Sequence, residues 1–143
     1  MQADTNNSND PSTHDYFAKK PKKILFVEDD DSLASVYTMR LQAEGFDVRR
    51  VANGEDALGA AIDYKPDLVL LDVMMPKVSG FDVLDIIRNT PETVNLKVIM
   101  LTALSQESDQ ERAKSLQVDD YLIKSQVVIA DVIERIKRQL NIT

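Results

Sequence analysis

The sequence of 143 residues contains no cysteine, a single histidine (His14) and no apolar run long enough to span a bilayer. The missing cysteine removes disulfide frameworks, thiolate zinc sites and thiol nucleophiles from consideration. It also suits a reducing compartment. No signal-like apolar core precedes the first folded segment, so the expected location is cytoplasmic, away from membranes. The sequons Asn6-Asn7-Ser8 and Asn141-Ile142-Thr143 are then chance matches. Basic charge is short as well, with 17 Lys and Arg against 24 Asp and Glu and a net charge of −7. From Ile24 onward the count is 13 basic against 21 acidic. A body that acidic lacks the basic face nucleic acid phosphates demand, so no direct nucleic acid binding is expected. Converging acids would suit a cation instead.

The length fits one domain with a core that needs no disulfide or structural metal. Residues 1–21 read as a disordered polar tail, rich in Asn, Asp, Ser and Thr, and residues 22–143 as the folded domain. His14 lies in the tail and is expected to have no catalytic role. The run Lys19-Lys20-Pro21-Lys22-Lys23 reads as a solvated linker, with a nucleic-acid or targeting patch as its alternative. No room remains for a second domain after Thr143. Any DNA-binding or catalytic output is therefore expected in another protein, unless the chain is trimmed from a longer one.

Short apolar runs alternate with amphipathic segments, the pattern of a parallel sheet flanked by helices. The strands are expected at Ile24–Val27, Phe46–Val51, Leu68–Leu71, Val98–Leu101 and Tyr121–Ile123. Arg49 and Arg50 mark the second as less buried and near an edge, and the uniformly apolar third as central. Asp31 and Ser32 are expected to cap a first helix whose apolar face is Leu33, Val36, Tyr37 and Leu41, closed by Gly45. Asn53-Gly54 starts a second helix, stopped by Lys65-Pro66. Phe81, Leu84 and Ile87 mark a third after a loop with Pro76 and Gly80, and Gln106 to Leu116 a polar fourth. Ile129, Val132, Ile133, Ile136 and Leu140 give the last helix a strong amphipathic period. Five strands and five helices in alternation predict a doubly wound α/β three-layer sandwich.

In such sheets ligands bind beyond the carboxyl ends of the strands. The residues at those ends are Glu28, Asp29 and Asp30 after the first strand, Asp72 after the third, Thr102 after the fourth and Lys124 after the fifth. Taken singly, an Asp after a strand is more often a turn or cap residue. Together they deliver acids, a hydroxyl and an amine to one edge. Crowded carboxylates raise one another's pKa unless a cation joins them. Oxygen ligands without His or Cys suit Mg²⁺. Asp72 can act as a nucleophile forming an aspartyl-phosphate, with Mg²⁺, Lys124 and Thr102 meeting the charge on the transferring phosphoryl oxygens.

Across residues 22 to 140 the chain resembles the receiver domains of two-component response regulators. The resemblance rests on four motifs in order: Lys23-Ile24-Leu25-Phe26-Val27-Glu28-Asp29-Asp30, Asp72-Val73-Met74-Met75-Pro76 with Gly80, Leu101-Thr102-Ala103, and Asp119-Asp120-Tyr121-Leu122-Ile123-Lys124. It implies a flavodoxin-like sheet in the order 2-1-3-4-5 and a phosphorylation-activated switch. Asp72 resembles the phosphoacceptor, supplied by a phosphohistidine on a sensor histidine kinase or phosphotransfer protein. Glu28 and Asp29 resemble the acidic pair at Mg²⁺ (or Mn²⁺), Asp29 as the direct ligand, and Met74 would lend its backbone carbonyl. Thr102 resembles the hydroxyl that moves toward the phosphoryl group, Lys124 the cation that pairs with it, and Tyr121 the switch aromatic. Tyr121 also reads as an ordinary strand aromatic. The output would be a changed surface on the fourth helix, the Tyr121 strand and the last helix, offered to an unknown downstream protein by a monomer or a phosphorylation-dependent homodimer. The mixed charges of the fourth helix read equally as a solvated face.

Two positions depart from the family. Ser125 follows Lys124 where receivers usually carry proline after a cis peptide, and a cis bond before a non-proline residue costs about 2.5–4 kcal/mol. Either the loop accepts that strain or it is trans and Lys124 arrives by another route. Gln117 stands where glycine is usual, so it must accept positive φ or the turn must change shape. Met74 and Leu104, two residues past Asp72 and Thr102, lie at positions that influence phospho-aspartate hydrolysis in the family, and two apolar side chains there imply a long-lived phosphorylated state. Two other readings compete. An aspartyl-nucleophile phosphatase would carry a second Asp where Met74 stands. A receiver-like module working without phosphate would not need the whole acidic set.

Overall fold

Leu68–Leu71 is apolar at every position because both of its faces are covered, and it is the central strand, β3. The computed structural model describes residues 20–142. Around β3 lie β1 (Lys23–Val27), β2 (Asp47–Val51), β4 (Lys97–Thr102) and β5 (Asp120–Ile123), all parallel, in the order β2-β1-β3-β4-β5. The edge position of β2 agrees with its half-exposed pattern. Among the described residues four α-helices connect the strands, α1 (Asp31–Ala43), α2 (Gly54–Asp63), α3 (Gly80–Arg88) and α4 (Glu107–Ser115), and α5 (Ile129–Gln139) follows β5. The expected architecture and strand order both hold.

Alternate side chains of each strand point to opposite faces, and this splits the interior in two. Leu25, Val27, Val69, Leu71, Val98 and Met100 pack on one face with Ala57 of α2 and with Leu84 and Ile87 of α3. Ile24, Phe26, Leu68, Leu70, Ile99 and Leu101 pack on the other, against Tyr37 and Leu41 of α1 and Val132 and Ile136 of α5. Burying each Leu or Ile fully is worth about 2 kcal/mol, so these two layers hold the strand ends in register.

The first helix departs from expectation in two details. Asp30, not Asp31 or Ser32, is its N-cap: the backbone there is extended and the side chain accepts from Leu33 N at 3.0 Å. The inward stripe is Ala34, Tyr37 and Leu41, at helical spacings of three and four, whereas Val36 falls off that stripe and is 60% exposed. Asn53 and Ser79 cap α2 and α3 through their own side chains.

Of the expected tail, residues 1–19 lie outside the described residues, with the Asn6 sequon, His14 and Lys19; Thr143 of the second sequon does too. Lys20, Pro21 and Lys22 are exposed. Lys23 is the first residue of β1, its amide donating to Asp67 Oδ2 at 2.7 Å and its Nζ to the Tyr64 carbonyl at 3.2 Å.

The amino end of the sheet is closed by one arginine. Arg88, at the end of α3, donates to the carbonyls of Leu96 (2.6 Å), Gln117 (3.0 Å) and Val94 (3.1 Å) and to Asp119 Oδ2 (2.9 Å). Gln117 accepts the left-handed conformation, with φ 66°, so the turn before β5 keeps its shape at the strain cost of a side chain there.

Candidate functional site

Strand register brings the polar residues to one edge of the sheet. Val27 pairs with Leu71, Leu71 with Met100 and Thr102 with Ile123, so Glu28, Asp72 and Lys124 each follow directly on a strand while Thr102 ends one. Backbone bonds hold the first two in place: Asp72 N donates to the Val27 carbonyl at 3.0 Å, and Glu28 N to the Val51 carbonyl at 3.1 Å.

Glu28 and Asp72 are buried, at 1% and 4% exposure, and cannot be there as bare charges without partners. Lys124 Nζ donates to Glu28 Oε1 at 2.9 Å and to Asp72 Oδ2 at 3.3 Å. The second oxygens take backbone donors, Asp30 N to Glu28 Oε2 at 3.1 Å and Met74 N to Asp72 Oδ1 at 3.3 Å. Asp29 is exposed, yet it offers a carboxylate oxygen that lies, with one each from Glu28 and Asp72, within a mutual 4.8 Å. This trio can hold a metal ion. With Lys124 counted, three carboxylates retain two negative charges, which a divalent cation would neutralise.

The charges act on one another. Burial pushes the Glu28 carboxyl up, and the Asp72 charge adds to that, while the Lys124 hydrogen bond opposes it. Burial pulls Lys124 down, but the Glu28 hydrogen bond and the Asp72 charge outweigh it and the amine is raised overall. Lys124 opens a short 3₁₀ turn (Lys124–Gln126), and there is no cis peptide among the described residues. The link to Ser125 is therefore trans, and the lysine still reaches both acids.

Thr102 is fully buried, and its Oγ1 accepts from Leu104 N at 3.3 Å rather than from either acid's vicinity. Tyr121 donates its hydroxyl to the Leu104 carbonyl at 2.9 Å. Burial, with the charges of Asp109 and Asp72, pushes that phenol up to about 12, so it is a donor at neutral pH. The structure thus brings Glu28, Asp29, Asp72 and Lys124 together directly, and joins Thr102 and Tyr121 through one residue between them. The Met74 side chain turns outward, 55% exposed, leaving only its backbone near Asp72.

Sequence reasoning named Asp30, Gly80 and Leu104 but missed what each does at this site. Asp30 belongs to the helix cap, not to the acidic cluster. Gly80 is required by close approach: a Cβ there would overlap the Asp72 carbonyl oxygen and come within 2.7 Å of Val73 Cα. The shared role of Leu104 is carried by its backbone, which leaves no mark on side-chain identity. Only the Ser79-Gly80 pair at a helix start carried a usable signal.

Comparison with known proteins agrees with this geometry. A family model described as response regulator receiver domain matches residues 24–137. The chain is 40% identical over 102 residues to the phosphate regulon transcriptional regulatory protein PhoB of Rhizobium meliloti, covering 71% of this chain and 45% of that protein. It is 32% identical over 121 residues to the polar-differentiation response regulator DivK of Brucella anthropi, covering 85% of this chain and 98% of that one. A CheY-like receiver domain protein from Methanospirillum hungatei superposes with a TM-score of 0.79 at 25% identity, covering 85% and 95% of the two chains. The chain therefore belongs to the response regulator receiver domain family of two-component signalling. It spans less than half the length of PhoB. Among the described residues no helix is long and apolar enough to cross a membrane.

The raised Glu28 carboxyl gives a test of the site's electrostatics. The folded state holds that proton to higher pH than the unfolded chain, whose ordinary value is 4.5. The associated stability is complete below about 4.5 and is lost as pH rises through the raised value. In urea unfolding of the metal-free protein, Glu28→Gln should therefore gain on the native protein as pH is raised from about 4.5 toward neutrality. A difference that stays flat, or that moves the other way, would contradict the assigned shift.

Proposed function

We propose that this domain, residues 22–143, is a phosphorylation-activated switch that accepts a phosphoryl group on Asp72 from the phosphohistidine of a sensor histidine kinase or phosphotransfer protein. The observation that carries the reading is the buried Asp72 carboxylate, held between Lys124 and the Glu28–Asp29 pair at the carboxyl edge of the sheet. The phosphorus–nitrogen bond of the donor breaks as an Asp72 oxygen forms the new phosphorus–oxygen bond. Glu28, Asp29 and Asp72, with the Met74 carbonyl, would hold Mg²⁺, or Mn²⁺ in its place, because the donors are all hard oxygens. The ion supplies neutralisation of charge on the phosphoryl oxygens. Lys124 supplies a second positive charge, and its hold on Asp72 keeps the attacking carboxylate oriented.

Thr102 and Tyr121 fit the role of switch. If Thr102 turns its hydroxyl to the phosphoryl group, the bond from Leu104 N is lost and Leu104, whose carbonyl accepts from Tyr121, is free to shift. The changed surface would be α4, β5 and α5, offered to a downstream protein or to a second copy of the chain. The acidic body supports an output through protein contact in the cytoplasm rather than through nucleic acid. Turnover as a phosphatase is disfavoured by Met74, whose thioether cannot serve as the acid–base that chemistry needs. Residues 1–21 would then be a polar tail preceding the domain.

Incubation with Mg²⁺ and acetyl phosphate followed by intact mass tests the reading. One added phosphoryl group is expected, absent with EDTA and absent in Asp72→Ala. No uptake from acetyl phosphate or from a phosphorylated histidine kinase would instead favour a module that works without phosphate. The apolar rim of Met74 and Leu104 should slow attack by water on the phospho-aspartate. Met74→Asn/Leu104→Glu is expected to shorten the half-life several-fold in the same mass assay, and an unchanged half-life would contradict that role.

A further inference from the structure

Arg50 lies in the edge strand β2, paired in register with Phe26, where a charged residue has an easy route to solvent. Its guanidinium turns toward the site instead. Nε and Nη2 both donate to the Glu28 carbonyl, at 2.9 and 2.7 Å, and Nη2 also pairs with Asp31 Oδ1 at 2.8 Å. The gripped oxygen belongs to the peptide unit that joins Glu28 to Asp29. The amide of Glu28 is meanwhile held by the Val51 carbonyl. Both sides of Glu28 are thus tied to β2, one by the backbone and one by the arginine fork.

Asp29 makes this grip matter. Glu28 and Asp72 are each fixed by Lys124 and by a backbone donor, but no hydrogen bond or ion pair holds the Asp29 carboxylate among the described residues. Its position follows from its backbone alone. That backbone is anchored at two points, the Glu28–Asp29 peptide held by Arg50 and the Asp30 cap of α1. A planar fork donating twice to one oxygen fixes the orientation of the peptide plane, which a single donor would leave free to turn.

We infer that Arg50 is a positioning residue for the metal site, orienting the Glu28–Asp29 peptide so that Asp29 faces the ion before the ion arrives. This rests on the metal-binding reading of the trio. The competing effect is electrostatic, since a cation near the site would repel an incoming ion. Asp31, bonded to the same guanidinium, offsets part of that charge and leaves orientation the larger effect in this proposal. Groups that orient a ligand without touching the metal are typically worth about 10–100-fold in affinity. The exposed, solvent-facing position of Asp31 places Arg50 toward the lower end.

The test counts bound Mn²⁺ by electron paramagnetic resonance of the free ion, with folding checked by circular dichroism and melting temperature. Arg50→Met/Asp31→Asn removes the fork at constant net charge and is expected to weaken Mn²⁺ binding about tenfold. Asp31→Asn alone keeps the grip on the Glu28 carbonyl but uncovers the Arg50 charge, and should bind only slightly more weakly than the native protein. Arg50→Lys keeps the charge but donates singly, and its affinity should fall between the two; it also stands in if the double variant fails to fold. In the phosphorylation assay these variants should need more Mg²⁺ for half-maximal rate while reaching the native rate at saturation. Lower melting temperatures with unchanged Mn²⁺ affinity would reduce Arg50 to a structural staple and overturn the inference. Tighter binding in either Arg50 variant would overturn it as well, by showing that repulsion dominates. Absence of Mn²⁺ binding in the native protein would remove the metal reading itself, and the inference with it, which the variant results alone cannot do.

Discussion

Two acids buried side by side at the end of a parallel sheet, with a third at their rim, set the terms for everything around them. Their mutual repulsion and lost hydration would push the loops apart if nothing opposed them. Lys124 opposes part of it, reaching 96 residues along the chain to Glu28 and 52 to Asp72. A divalent cation held by Glu28, Asp29 and Asp72 would neutralise the remainder. A fold that keeps such a site must therefore hold its strand ends rigidly, and the two apolar layers and their uninterrupted central strand do so.

The opposite edge of the sheet follows another logic. There Arg88 gathers three carbonyls and Asp119 into a closed knot, with each of its three nitrogens donating inside the domain. The carboxyl edge is the more open, since the Asp29 carboxylate has no partner among the described residues and Leu104 bonds Thr102 through its amide and Tyr121 through its carbonyl. The closed contacts lie at the amino edge, and those that would adapt to a phosphoryl group on Asp72 lie at the carboxyl edge. Arg50 stands between the two, a fork on the Glu28 carbonyl that would keep this loop in place while its neighbours respond.

The fold was largely legible because its signals are periodic. Apolar runs named the strands, and the wholly apolar Leu68–Leu71 named the centre. The acids at the strand ends were legible because topology places all strand ends together. What escaped was geometry that side-chain identity does not encode. Val36 looked like a core residue until helical phase turned it outward, and Asp30 took the cap expected of Asp31 because its backbone is the last extended one. Arg50 read as a mark of an edge strand, although its chemistry lies in a carbonyl 22 residues away. The loop after Lys124 was left open between two conformations; it is trans, and Lys124 still reaches Glu28 and Asp72. Gln117 takes positive φ because the turn between α4 and β5 is pinned by Arg88, whatever residue occupies it.

The most direct measurement is the unfolding free energy of the purified domain as Mg²⁺ is added at constant ionic strength. A cation that completes the Glu28–Asp29–Asp72 site binds the folded state alone. Stability should then rise with the logarithm of concentration above the dissociation constant, reaching about 2.7 kcal/mol at one hundred times that value. The gain should be lost in Asp29→Asn, which leaves the buried pair and Lys124 in place. Stability indifferent to Mg²⁺, or a gain that survives in Asp29→Asn, would contradict the account.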